Sequence, residues 1–263
     1  MPGGAGAEPR VLDPAAWAGR RVLLLAPHPD DEAFGAGGSA YLAARAGADV
    51  QPVIMARGDG GVDGRSLVAE REDESRRCCE LLAVRPPVFL RIPSPELRAD
   101  PAAAGRALAS DGGARACDVL LVPSPFERHD THRAVLLAAL LAGAGTPTAE
   151  WWGWGVWEAV PLSPDAVEVD VTAARSAKTL AMTAHRSQHR ARNLAAGQAA
   201  RDLSQATFSR VTGVEPRKAI ERLLDLSALG RPQPPPRDAG EARARVAAWM
   251  QDHAARWLAA LWG

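Results

Sequence analysis

Arg21-Val22-Leu23-Leu24-Leu25-Ala26-Pro27-His28-Pro29-Asp30-Asp31-Glu32 is a hydrophobic run that ends abruptly in one imidazole and three carboxylates. The apolar part reads as a buried strand, which favours an unbroken aliphatic run over an alternating one. Polar groups this dense cost free energy when they are left unpaired beside such a strand. A divalent cation offsets that cost, because His and Asp are its natural ligands. In open parallel sheets ligands sit at the carboxyl ends of strands, which is where this cluster falls. The plainer alternative is a surface turn followed by a capped helix. A bare Asp-Asp-Glu would suit the turn; His-Pro-Asp-Asp-Glu at a strand end suits a site.

Working outward, strand-like and helix-like segments alternate, the pattern of a parallel sheet with helices on both faces. Strands are expected at Val22 to Ala26, Val50 to Ala56, Val88 to Ile92, Val119 to Val122 and Val167 to Val171. Helices are expected at Ala33 to Ala46, Leu67 to Leu82, Pro101 to Ala116, Thr131 to Ala142 (with Thr131 as N-cap) and Ala173 to Arg192. A Gly-rich loop, Gly58 to Gly64, precedes the second of these helices. Trp151, Trp152, Trp154 and Trp157 crowd Glu150 to Val160, read as another strand. Core packing is the first account of that cluster, with a pocket wall or an oligomer contact as alternatives. Arg231 to Pro236 is Pro-rich and extended, and apolar residues recur at helical spacing from Ala239 to Trp262. The fold expected is thus a Rossmann-like, three-layer α/β/α arrangement with a mostly parallel sheet and a C-terminal helical extension.

A second hydrophobic run leads into Pro123-Ser124-Pro125-Phe126-Glu127-Arg128-His129-Asp130-Thr131-His132. The three-residue spacing of His28 and Asp31 recurs in His129 and His132, again at a strand end entering a helix. One of these histidines can complete a His-Asp-His site while the other faces a substrate. Three protein ligands and an open position are what a catalytic zinc requires. Asp30, offset between His28 and Asp31, is free to take a proton.

These motifs carry a resemblance. Pro27-His28-Pro29-Asp30-Asp31-Glu32 resembles the AHPDDE signature of the PIG-L/LmbE-like de-N-acetylase superfamily, and His129 to His132 resembles its second metal motif, usually written HPDH. The resemblance implies a zinc-dependent enzyme that removes an N-acetyl group from an N-acetylglucosamine-type amino sugar, on a small molecule or an antibiotic-like natural product. It implies His28, Asp31 and His132 as ligands of Zn2+, Asp30 as general base, and His129 as donor to the oxyanion or leaving amine. Arg71, in Ala69-Glu70-Arg71-Glu72-Asp73-Glu74, matches a substrate-contacting arginine; an i,i+3 ion pair with Glu74 is the structural alternative. Lys178 to Gln188, containing His185-Arg186-Ser187-Gln188, resembles a late motif near the site. One departure stands out: Thr131 occupies the place of the family's histidine-orienting Asp, and Asp130 lies on a different side of the chain.

Composition narrows the rest. With 263 residues the chain can bury a full core, and 31 basic against 31 acidic residues argue against nucleic-acid binding. No apolar stretch approaches the roughly 20 residues that span a bilayer. Met1 to Arg20 lacks the basic start and apolar core of a secretory signal, so a cytoplasmic location is expected. Cys78, Cys79 and Cys117 are read as structural, with at most one of the adjacent pair facing the core. Residues 1–230 are expected to form the deacetylase domain. Residues 231–263 would form a linker and a helix packing on it or on a partner subunit of a homo-oligomer. Gly35-Ala36-Gly37-Gly38 lacks the GxGxxG spacing and is ascribed to close helix–sheet packing, which leaves a nucleotide-binding domain the weakest rival. Stronger rivals are an amidase of a larger acyl or thiol conjugate on an amino sugar, and a non-catalytic metal- or sugar-binding relative.

Overall fold

The structure, a computed structural model, describes residues 10–59, 67–189, 193–207, 218–230 and 234–262. Most of the Gly58 to Gly64 loop, Arg192, and the first residues of the Arg231 to Pro236 linker lie outside them. In chain order the elements are β1 (Arg10–Val11), β2 (Arg21–Ala26), α1 (Asp31–Phe34), α2 (Gly37–Arg45), β3 (Asp49–Ala56), α3 (Val68–Leu81) and β4 (Val88–Ile92). There follow α4 (Ser94–Ala99), α5 (Pro101–Ser110), β5 (Val119–Pro123), α6 (Asp130–Ala142), β6 (Glu150–Trp154), β7 (Ala166–Asp170) and α7 (Arg175–Ala184). The chain closes with α8 (Arg186–His189), α9 (Leu194–Thr207), β8 (Ile220–Asp225), α10 (Ser227–Gly230) and α11 (Ala239–Trp262).

One eight-stranded sheet has the order β1-β7-β8-β6-β5-β2-β3-β4. Every pairing is parallel except those of β8, which runs antiparallel between β6 and β7. From β2 the chain steps outward through β3 and β4, then returns to lay β5 on the other side of β2. Strand order therefore reverses between β2 and β5, and the loops leaving these two strands open a crevice at their carboxyl ends.

Alternation along β2 divides the core. Leu23 and Leu25 pack with α4, α5, α6 and Trp249 of α11 on one face; Val22 and Leu24 pack with Trp17 and α2 on the other. Burying each such aliphatic side chain contributes on the order of 2 kcal/mol. The same alternation divides the tryptophans of β6, Trp151 to the first face and Trp152 and Trp154 to the second. These three are core, whereas Trp157, beyond the strand, is 36% exposed.

Four expectations are corrected. The helix expected from Ala33 to Ala46 breaks between α1 and α2, and the one from Ala173 to Arg192 breaks at His185, whose side chain turns into the core. Thr131 is not an N-cap: α6 starts at Asp130 with His129 in the cap position, and Thr131 is buried in its first turn. Cys78 and Cys79 are both buried, because α3 is covered by α1 as well as α7. The Gly35 expectation fits: a Cβ there would lie 2.6 Å from ring atoms of the buried Trp154. Gly35→Ala should destabilise the fold by about 1–3 kcal/mol through overpacking, read as a lowered thermal midpoint.

Candidate metal centre and active-site cleft

Three side chains from the two loops meet at the crevice. Asp31 opens α1 directly after β2, and its Oδ2 accepts the backbone N–H of His28 at 2.9 Å. The same oxygen lies 3.1 Å from His28 Nδ1 and 3.2 Å from Nε2 of His132, in the first turn of α6. The His28 and His132 ring centroids are 5.4 Å apart, and the three ligand atoms lie within 4.8 Å of one another. His132 is flanked on its far side by Glu127, whose Oε2 is 3.1 Å from Nδ1. Burial works against a charged His132, yet Asp31 and Glu127 prevail and raise its pKa to about 10. Burial opposes ionisation of Asp31 too, but His132 and His28 hold its pKa well below the carboxylate range. Two buried carboxylates around one imidazole demand positive charge there. A divalent cation meets that demand, and the donor set of two nitrogens and an oxygen suits it.

Asp30 sits beside this trio and is not part of it. Its φ of 137° is costly for a residue with a Cβ. Two groups hold it there. Its N–H donates to Glu32 Oε2 at 2.8 Å, and Arg71 Nη2 lies 3.6 Å from its Oδ2 while donating to the Pro29 carbonyl at 2.7 Å. Arg71 Nη1 also donates to the carbonyl of Gly58, whose φ of 68° and close approach to Pro29 leave no room for a Cβ. Burial and the charge of Asp31 raise the Asp30 pKa to about 6, against the pull of Arg71, His185 and His28.

The Arg71–Glu74 ion pair, the structural alternative for that arginine, does not form. Glu74 instead accepts from the backbone N–H and hydroxyl of Ser187 at 2.7 and 2.6 Å, tying the late motif to α3. His185 of that motif is fully buried, with Nε2 3.2 Å from Glu32 Oε1. Glu32, Cys78 and His185 also cluster within ligand distance. There the imidazole forms an ion pair with the carboxylate and burial keeps the thiol protonated.

His129 lines the cleft with its Nδ1 buried and without a hydrogen bond among the described residues. Burial and the neighbouring His28 and His132 lower its pKa to about 4, leaving a neutral imidazole. Asp130 points away to an ion pair with Arg133 and does not reach it. The Trp157 indole stacks on His129, centroids 5.9 Å apart and planes 19° from parallel. The cleft has a volume of about 720 Å³, with His28, Asp30, Asp31 and His129 at the reactive end. Helix α9 borders it with Gln198 and Arg201, and Arg201 also donates to the Val156 carbonyl. Glu127 and α9 were not singled out from the sequence, and Trp157 only as one of a tryptophan cluster for which a pocket wall was an alternative account. For Glu127, its place two residues before His129 was the available signal.

Fold and site together define a class: a doubly wound α/β protein with a potential metal centre at its topological switch point, opening on a substrate-sized cleft. Residues 23–142 match the family model described as PIG-L, GlcNAc-PI de-N-acetylase, which supports the resemblance read from the motifs. A diacetylchitobiose deacetylase of Thermococcus kodakarensis is 37% identical over 71 residues, 25% of this chain. The match spans only 27% of that relative's length. Among solved structures, the N,N'-diacetylchitobiose deacetylase of Pyrococcus horikoshii superposes with a TM-score of 0.59 at 21% identity, covering 82% of this chain and 87% of that one. The 4-carboxy-2-hydroxymuconate hydratase GalB of Pseudomonas putida superposes with a TM-score of 0.60 at 14% identity, covering 79% and 96%. The fold thus serves a hydrolase and a hydratase, and only the site can name the reaction. Among the described residues, no helix is long and apolar enough to cross a membrane.

Proposed function

We propose that the protein is a zinc-dependent hydrolase that removes the N-acetyl group from an N-acetylglucosamine-type amino sugar on a small molecule, releasing acetate and a free amine. One observation carries this reading: a carboxylate held free of the ligand trio, Asp30, stands beside His28, Asp31 and His132 at the reactive end of the cleft. A structural ion site has no use for such a base. The relatives' deacetylase activities support the reading.

In this mechanism His28, Asp31 and His132 hold the metal, which when bound polarises the amide carbonyl and acidifies the attacking water. Asp30 accepts the water's proton as its oxygen attacks the carbonyl carbon. His129, neutral, donates an N–H hydrogen bond to the developing oxyanion rather than acting as a charged acid. The C–N bond then breaks, and Asp30 returns its proton to the departing amine nitrogen. Arg71 orients Asp30 through the Pro29 loop and presents its cationic edge to substrate oxygens.

The test is acetate release from N,N'-diacetylchitobiose and other N-acetylglucosaminides, with zinc added and after chelation. Zinc-dependent release is expected. Equal rates after exhaustive chelation, or release only from larger acyl groups, would overturn the proposal. Because Asp30 must be ionised to act, kcat/KM should fall as pH drops below about 6, and a nearby cation can only move that limb lower. An acid limb centred above pH 7 would remove Asp30 as the titrating group.

A further inference from the structure

Glu127 is fully buried between the end of β5 and α6, and its carboxylate has two tasks. Oε2 faces His132 Nδ1 at 3.1 Å. Oε1 accepts backbone N–H groups of three successive residues: Val156, Trp157 at 3.0 Å and Glu158 at 3.3 Å, and the Trp157 N–H also reaches Oε2 at 3.4 Å. That triplet carries Trp157 onto His129 and into the cleft. One carboxylate therefore grips a ligand of the metal centre with one oxygen and the substrate-side wall mainly with the other.

We infer that Glu127 is a positioning residue that couples occupancy of the metal centre to placement of the Trp157 wall. This rests on the metal-dependent reading above. A cation held by His132 Nε2 would anchor the ring from that side while Nδ1–H donates to Oε2 as a charge-assisted bond. With the carboxylate pinned at that end, Oε1 is held in place for the three amides. Without a cation on Nε2 the ring is no longer anchored at that end, and the grip on residues 156–158 loosens. The metal-loaded protein thus presents an ordered aromatic face to a sugar ring, and the metal-free protein a looser one.

Hydrogen exchange at amides 156–158 of the full chain, with and without Zn2+, tests this alongside zinc affinity from competition with a chromophoric chelator. In the wild-type protein zinc should slow exchange at these amides by about tenfold or more. Glu127→Ala should exchange rapidly with or without zinc and bind zinc about 10–100-fold more weakly. Glu127→Gln separates the two oxygens. Its carbonyl still accepts the amides, so their protection without zinc persists, but its NH2 opposes Nδ1–H and zinc affinity falls. Trp157→Ala should leave zinc affinity unchanged and act on KM for the acetylated sugar more than on kcat. Zinc binding that leaves wild-type exchange at 156–158 unaltered, or Glu127→Ala binding zinc with wild-type affinity, would overturn the coupling while leaving the deacetylase proposal intact. Absence of zinc binding by the wild-type chain would instead sink both.

Discussion

Asp30→Asn should bind zinc with wild-type affinity and release acetate roughly 10³-fold more slowly, the scale of losing a positioned general base. The amide has the shape of the carboxylate and preserves the N–H bond to Glu32, so the backbone at residue 30 need not move. Asp30 is outside the trio whose ligand atoms converge, so the metal centre keeps its donors. What disappears is the ability to accept a proton. Acetate release paired with chelator competition reads both quantities on one preparation. Near-normal turnover would remove Asp30 from the chemistry; zinc lost together with turnover would make it a ligand.

Lys178→Met should destabilise the fold by about 3–5 kcal/mol, the usual consequence of breaking a buried ion network from one side. Lys178 is 2% exposed, and its Nζ lies 2.7 Å from Asp202 Oδ2 and 2.8 Å from Glu221 Oε1. Burial alone would lower its pKa, yet the two carboxylates hold it above the ordinary value. Methionine fills the space but leaves two acids buried without their cation. Glu221 cannot swing out, because it also accepts the N–H groups of Gly38 and Ser39 and the Ser39 hydroxyl, capping α2, which has no side-chain cap of its own. The loss should appear as a thermal midpoint lower by on the order of 10 °C. An unchanged midpoint would mean that the network contributes nothing net.

Where an element buries a simple periodic pattern, it was legible in the sequence. The strands β2, β3, β4, β5 and β7 fall within a residue or so of expectation, because parallel strands covered on both faces read as aliphatic runs. Strand β8 was missed for the opposite reason. Ile220-Glu221-Arg222-Leu223-Leu224-Asp225 carries charges into the sheet, and their partners lie far away in sequence. Arg222 pairs with Glu168 on the neighbouring strand, and Glu221 with residues of α2 and α7. Local propensity cannot foresee a charge whose counter-charge is about 40–50 residues away, or whose backbone partners are 182 and 183 residues away. The site divides the same way. His28, Asp30, Asp31, His129 and His132 announce themselves as polar residues crowded at strand ends. Glu127 and Trp157 acquire meaning only when the β5 and β6 loops are brought side by side.

The left-handed backbone at residue 30 has a consequence for how the protein keeps its chemistry. Glycine adopts that geometry freely, so Asp30→Gly should relieve about 1 kcal/mol of strain and survive heating better than the parent chain. On the mechanism proposed above, the most heat-tolerant occupant of this position is therefore one that cannot take the water's proton. Selection for robustness alone would then run against the proposed chemistry at this position.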